Sequence, residues 1–148
     1  MGNFIKALEP GWLKLAQQAH TVADNAYAPY SDFPVGCALE LNDGTVVLGA
    51  NQENASYPLS MCAERVALFS AKTQFPSKTI DKLFIIAPNS KSKLPIAPCG
   101  ACRQVIYEMQ KRQSSPIEIV CGSEETGYLH FNDAGELLPN AFGPEDLL

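Results

Sequence analysis

The chain has 148 residues, 46% of them hydrophobic and 18% charged, and a net charge of −5. Such a chain can bury one substantial core, which excludes a disordered polymer and a membrane-embedded one. The acidic excess argues against a general binder of phosphate backbones, whose affinity comes from clustered Lys and Arg, and leaves a small neutral or cationic substrate open.

Met1 to Lys6 lacks the apolar stretch of an export signal, and Lys6 stands where a myristoylation site wants Ser or Thr. No apolar run approaches the ~20 residues of a spanning helix. Glu9-Pro10 opens a helix with Pro in its first turn. Leu13, Ala16, Ala19, Val22, Ala23 and Ala26 then recur at helical steps, and Ala28 to Ser31 ends the run. Val35 to Leu41 and Thr45 to Ala50 read as a hairpin around Asn42-Asp43-Gly44. A loop over Asn51 to Ser60 precedes a helix from Met61 to Lys72, with Ser60 as its cap. Leu83 to Ala87 is apolar throughout, as in a strand buried on both faces. A loop with Pro95 and Pro98 leads into a helix from Cys99 to Lys111. Ile117 to Cys121 and Thr126 to Phe131 read as strands, and Glu136-Leu137-Leu138 as a short helix stopped by Pro139. No linker or repeat divides the chain, so residues 1–148 are expected to form one domain. The order α-β-β-α-β-α-β-β-α contains two β-α-β crossovers. It implies parallel central strands with helices on both faces, a three-layer α/β/α architecture.

The five cysteines are Cys37, Cys62, Cys99, Cys102 and Cys121. An odd number, with a full-sized core and no export signal, points to free thiols in a reducing cytoplasm. Cys62-Ala63-Glu64 and Pro98-Cys99-Gly100-Ala101-Cys102 both lie at expected helix starts. Helix N-termini favour thiolate, and three thiolates from two adjacent helix ends suit zinc. A structural zinc takes four protein ligands, whereas a catalytic zinc keeps one position for water. Glu64 stands two residues from Cys62, beside the metal rather than on it, where it can move protons to and from the water. Three thiolates make a divalent ion net negative, and Arg65 with the two helix ends can offset that charge.

Other readings exist for each feature. A lone Cys-x-x-Cys also serves as a redox pair or a structural clip. A fourth ligand from Cys37, Cys121, His20 or His130 would close the site. Cys37 and Cys121 sit in apolar strand patterns where Cys acts as a small hydrophobe, and the two His lack metal-like spacing. Read alone, Phe33 is as well explained by packing, Asn51 and Glu53 by a solvated turn, and Phe142 by plain packing near the end of the chain.

The combination Cys-x-Glu plus Pro-Cys-x-x-Cys matches the three-cysteine form of the zinc deaminase signature. The chain resembles the cytidine deaminases, in particular their small homotetrameric type. The resemblance runs through Ala26 to Ser31, Phe33-Pro34-Val35-Gly36, Asn51 to Ala55, Tyr57-Pro58-Leu59, Cys62 to Arg65 and Pro98 to Gln104. It continues in the tail from Leu137 to Leu147. Asn51-x-Glu53 with the Phe33 segment narrows it to enzymes of free nucleosides. Departures are Ser56, and Ser60-Met61 where a Gly and an aliphatic residue are expected.

The resemblance implies a three-layer cytidine-deaminase-like fold with a mixed five-stranded sheet. It implies hydrolysis of cytidine and 2′-deoxycytidine to the uridines with release of ammonia. Cys62, Cys99 and Cys102 would hold Zn²⁺, Glu64 would shuttle protons, and Arg65 would hydrogen-bond the sulfurs. Asn51 and Glu53 would hold the ribose, Phe33 would face the pyrimidine, and the backbone of Ala63 would meet the base carbonyl. Phe142 would reach a neighbouring subunit's site. The expected partner is a nucleoside, with no polynucleotide and no membrane, and the assembly a cytoplasmic homotetramer. Alternatives are a zinc deaminase of another substrate, such as a nucleoside antibiotic, and a non-catalytic zinc module with four ligands.

Overall fold

A computed structural model describes residues 2–147; Met1 and Leu148, the ends of the expected domain, lie outside the described residues. Six strands form one sheet: β1 (Asn3–Ile5), β2 (Gly36–Leu41), β3 (Val46–Ala50), β4 (Ile80–Ile86), β5 (Glu118–Ser123) and β6 (Gly127–Phe131). The helices are α1 (Pro10–Ala23), α2 (Ala63–Gln74), α3 (Gly100–Gln113) and α4 (Ala134–Leu137). The strand order is β1-β6-β5-β4-β2-β3.

The sheet is mixed and layered between helices, as expected, but it has a sixth strand and less parallel pairing. Among the described strands only β4 and β5 pair in parallel; β2 pairs antiparallel with both β3 and β4. The crossover through α2 therefore skips a strand, because β2 lies between β3 and β4. The added strand β1 pairs antiparallel with β6, Phe4 opposite Leu129, and forms one edge.

Alternation along the strands divides the core into two layers. Leu83 and Ile85 of β4 face one layer, together with Ala67 and Leu68 of α2 and Ile106 of α3. Phe84 and Ile86 face the other, against Trp12, Leu15 and Ala19 of α1. The all-apolar stretch at Leu83 is thus a strand buried on both faces. Each such large side chain contributes about 1.5–3 kcal/mol when fully buried.

Helix α1 buries Ala19, Val22 and Ala23 of the expected face, but Trp12 and Leu15 replace Leu13, which is 56% exposed, in its first turns. Both choices keep helical spacing, and the one containing the indole buries more apolar area. The helices holding the candidate ligands also start later than expected. Met61 exchanges backbone hydrogen bonds with Gln52 at 2.8 and 2.9 Å, so the chain stays extended until Cys62. Cys62, not Ser60, is the N-cap of α2, and Cys99 is the N-cap of α3. Gly49 on β3 lets α2 lie close: a Cβ there would overlap the Ala63 carbonyl.

Candidate active site

Cys62 and Cys99 have extended backbones, with φ −70° and ψ 152° for the first and φ −64° and ψ 163° for the second. Neither uses its side chain to cap its helix, which leaves both sulfurs free for other bonding. Cys102 follows within the first turn of α3. The Sγ atoms of Cys62, Cys99 and Cys102 all lie within 4.8 Å of one another, with Cys62 and Cys99 4.0 Å apart. Zinc–sulfur bonds of about 2.3 Å at tetrahedral angles place sulfurs about 3.8 Å apart. The cluster thus fits Zn²⁺ after small adjustments.

Among the described residues the cluster has no fourth protein ligand. Cys37 and Cys121 are buried free thiols outside it. His130 is engaged by Glu118 at 2.6 Å, and His20 lines a separate 350 Å³ cavity beside α1. Zn²⁺ held by these three sulfurs would keep a fourth position for water.

The local electrostatics favour a thiolate at Cys62. A hydrogen bond from Cys102 and another from Arg65 (Nη2 to Sγ, 3.5 Å) lower its pKa to about 5. The Cys102 thiol is pushed up, first by its bond to Cys62 and then by burial. Glu64, in the first turn of α2, is only 4% exposed and is the one buried charged side chain among the described residues. Burial raises its pKa, and the Cys62 thiolate raises it further. A carboxyl so placed exchanges protons more readily near neutral pH than a surface Glu.

Cys62 and Cys99 open onto a 590 Å³ cleft lined also by Phe33, Asn51, Glu53, Ala63 and Glu64. Asn51 is tied to the strand entering β2: its Oδ1 accepts from Val35 N–H at 2.8 Å and its Nδ2 donates to the Phe33 carbonyl at 3.0 Å. Glu53 accepts from the backbone N–H of Tyr30 and Ser31 at 2.9 and 3.3 Å, which lowers its pKa. Both side chains thus brace the Tyr30–Val35 segment, and each keeps hydrogen-bonding capacity toward the cleft. Phe142 is not part of this cleft; its ring is 59% exposed.

Ile85 and Ile96 form an apolar wall of the cleft that sequence reasoning did not single out. Ile85 had a usable signal. It sits toward the carboxyl end of β4, beside the parallel pair, where open α/β sheets place their ligands. Ile96 lies in an irregular proline-bounded loop and has no such signal.

The sequence model of the cytidine and deoxycytidylate deaminase zinc-binding region matches residues 12–115. The chain is 41% identical to a cytidine deaminase of Halalkalibacterium halodurans over 90% of this chain and 95% of that one. It is 36% identical to a cytidine deaminase of Mycobacterium tuberculosis over 92% of each. Its fold is similar to the crystal structure of a Burkholderia pseudomallei cytidine deaminase. The TM-score is 0.78 at 41% identity, covering 91% of this chain and all of that one. With a match this long, and three sulfurs gathered at the ends of two helices, the chain belongs to the cytidine and deoxycytidylate deaminase family.

Proposed function

We propose that this chain is a cytidine deaminase, hydrolysing cytidine and 2′-deoxycytidine to uridine and 2′-deoxyuridine with release of ammonia. The observation that carries this reading is the buried Glu64 in one cleft with a three-sulfur cluster that lacks a fourth protein ligand.

Cys62, Cys99 and Cys102 hold the zinc. Zinc, when bound, supplies a Lewis acid that makes water nucleophilic near neutral pH. Glu64 accepts a proton from the attacking water and delivers it to ring N3. Oxygen bonds to C4, which becomes tetrahedral. Glu64 then carries the second proton from that oxygen to the amino nitrogen, the C4–N bond breaks and ammonia leaves. Arg65 offsets the charge of the sulfurs by donating to Cys62. Asn51 and Glu53 hold the ribose hydroxyls, and their bonds to the 30–35 backbone keep them oriented. Phe33 packs against the pyrimidine, the backbone of Ala63 meets the base carbonyl, and Phe142 reaches the site of a second copy.

The single sheet supports treating residues 1–148 as one domain. Five free cysteines support a reducing cytoplasm as its compartment. The working assembly is a homotetramer. The partner is a free nucleoside rather than a polynucleotide or a membrane, and no helix among the described residues is long and apolar enough to span a bilayer.

A substrate panel tests the reading. Zinc-loaded protein is mixed with cytidine, 2′-deoxycytidine, CMP, blasticidin S and single-stranded DNA, and base absorbance and ammonia are followed together. The two nucleosides are expected to be consumed with equal ammonia release. Faster turnover of any of the other three would assign the site to a different substrate.

A further inference from the structure

Arg103 and Gln104 follow Cys102 on α3, and the reaction above uses neither. Both side chains are committed to carbonyls. Arg103 donates from Nε to the Pro98 carbonyl at 2.9 Å, just ahead of Cys99, and from Nη1 to the Leu137 carbonyl at 3.2 Å, at the end of α4. Gln104 donates from Nε2 to the Phe142 carbonyl at 2.8 Å. One turn on, the Tyr107 hydroxyl donates to Glu145 Oε1 at 2.9 Å, and Lys111 Nζ meets the same oxygen at 2.8 Å. The Lys111 ammonium also lies 5.1 Å from the centre of the Tyr107 ring.

Positions 104, 107 and 111 follow one another at three- and four-residue steps, so they form one stripe on the flank of α3. The tail is shaped to lie against this stripe. A Cβ on Gly143 would come within 2.9 Å of Tyr107 Cε1 and 2.6 Å of Glu145 Oε2. The Gly143 N–H donates to the Asp146 carboxylate at 2.8 Å, which folds the segment back on itself. The backbone from 142 to 146 is therefore held by the helix that carries Cys99 and Cys102, while the Phe142 ring stays exposed. An exposed aromatic side chain on a fixed backbone is pre-organised for contact, because most of its ordering entropy is lost on folding rather than on binding.

We infer that Gln104, Tyr107, Lys111 and Glu145 form a clasp that presents Phe142 to the nucleoside cleft of a second copy of the chain. Gln104 is thus a positioning residue for substrate binding. This rests on the reading that Phe142 completes a neighbouring cleft. The clasp ties the geometry of that contribution to the helix that bears two of the metal-binding sulfurs.

Steady-state kinetics of the zinc-loaded full chain test it. Gln104→Glu and Tyr107→Phe each remove one hydrogen bond, Glu145→Gln removes the charge that holds Lys111, and each is expected to raise KM for cytidine about 3- to 10-fold. Zinc content should stay at the wild-type level and kcat should change less than KM. Lys111→Arg should keep the wild-type KM, whereas Lys111→Met should raise it. Phe142→Ala should raise KM at least as much, and adding Glu145→Gln to it should have no further effect. If Phe142→Ala raises KM while the clasp variants do not, the clasp is wrong and the role of Phe142 stands. A wild-type KM for Phe142→Ala overturns the role of Phe142 and the clasp with it. Clasp variants that lose zinc or kcat with KM unchanged would show that they act through the metal-binding loop, which also contradicts the clasp. Should Gln104→Glu fail to fold, the surface variants Glu145→Gln and Lys111→Met carry the same test.

Discussion

Cys62 and Cys99 each occupy the residue before a helix, a place usually given to Ser, Thr, Asp or Asn. Here the side chain faces the sulfur cluster and the helix goes uncapped, so part of each helix's local stability is given up to the site. Among the described residues Arg65 is the only cation that donates to these sulfurs, and its Nε is buried without a partner there. Arg65→Gln is expected to weaken zinc affinity about 10- to 100-fold, the usual effect of losing a hydrogen bond to a ligand atom. Competition with a chromogenic chelator measures this, and an unchanged affinity would remove Arg65 from the account. Cys99→Ala is a harsher change. It should abolish stoichiometric zinc binding and turnover together, and retained zinc at wild-type affinity would mean that the ligands are misassigned.

Helices α3 and α4 and strands β4 and β5 are joined by two glutamines on α3. Gln110 Oε1 accepts from the N–H of Ile117 and of Ala134, both at 2.9 Å. Gln113 receives the Ile80 N–H at 2.9 Å and donates to the Ile80 carbonyl at 2.7 Å. Gln110→Leu leaves the N–H groups of two buried residues, Ile117 and Ala134, unpaired and is expected to cost about 1–3 kcal/mol in urea unfolding. A loss below a few tenths would mean that water replaces the bonds. Such cross-chain amide bonds leave no trace in a single sequence, because a Gln at a helical position is unremarkable there. The strands that carry the core were readable because apolar runs such as Leu83 to Ala87 admit one arrangement, buried on both faces. Strand β1 was not, since three residues with two exposed side chains carry no pattern and take their conformation from β6. The buried face of the first turns of α1 is unmarked in the sequence for a related reason. Alanines recur on several faces, and Trp12 and Leu15 decide only once the sheet is present.

For the whole molecule, exposed carboxylates set the acid limit. Asp43, bonded to the Thr45 N–H and paired with Lys78 at 3.1 Å, titrates near 2 instead of 3.8. Glu145, held by Lys111 and Tyr107, also falls to about 2 from 4.5. A depressed carboxylate stabilises the fold above its unfolded pKa and loses that contribution as pH falls toward its folded value. Thermal midpoints should therefore drop between about pH 4.5 and 2, and Asp43→Asn with Glu145→Gln should flatten that slope. A slope identical to wild type would contradict the pairing.

Tyr57 and Leu59 are 71% and 67% exposed in the turn just ahead of Cys62, and Phe142 is exposed as well. The proposed tetramer would cover such exposed apolar side chains. Sedimentation is expected to give four chains per particle, and a stable monomer with full activity would contradict the tetramer. At this scale the layered architecture and the residues gathered at the cleft were legible in the sequence, since two short motifs at helix starts meet where two crossovers begin close together. The bonds by which α3 grips the tail around Phe142 were not, because they join residues far apart in the chain.

The central claim is that a buried carboxyl beside a three-sulfur zinc site moves the protons of a deamination. Zinc content and cytidine turnover of Glu64→Gln, measured on the same sample, test it most directly. Zinc should remain bound as in the wild type while turnover falls by about 10²–10⁴-fold. Near-normal turnover with zinc in place would contradict the account.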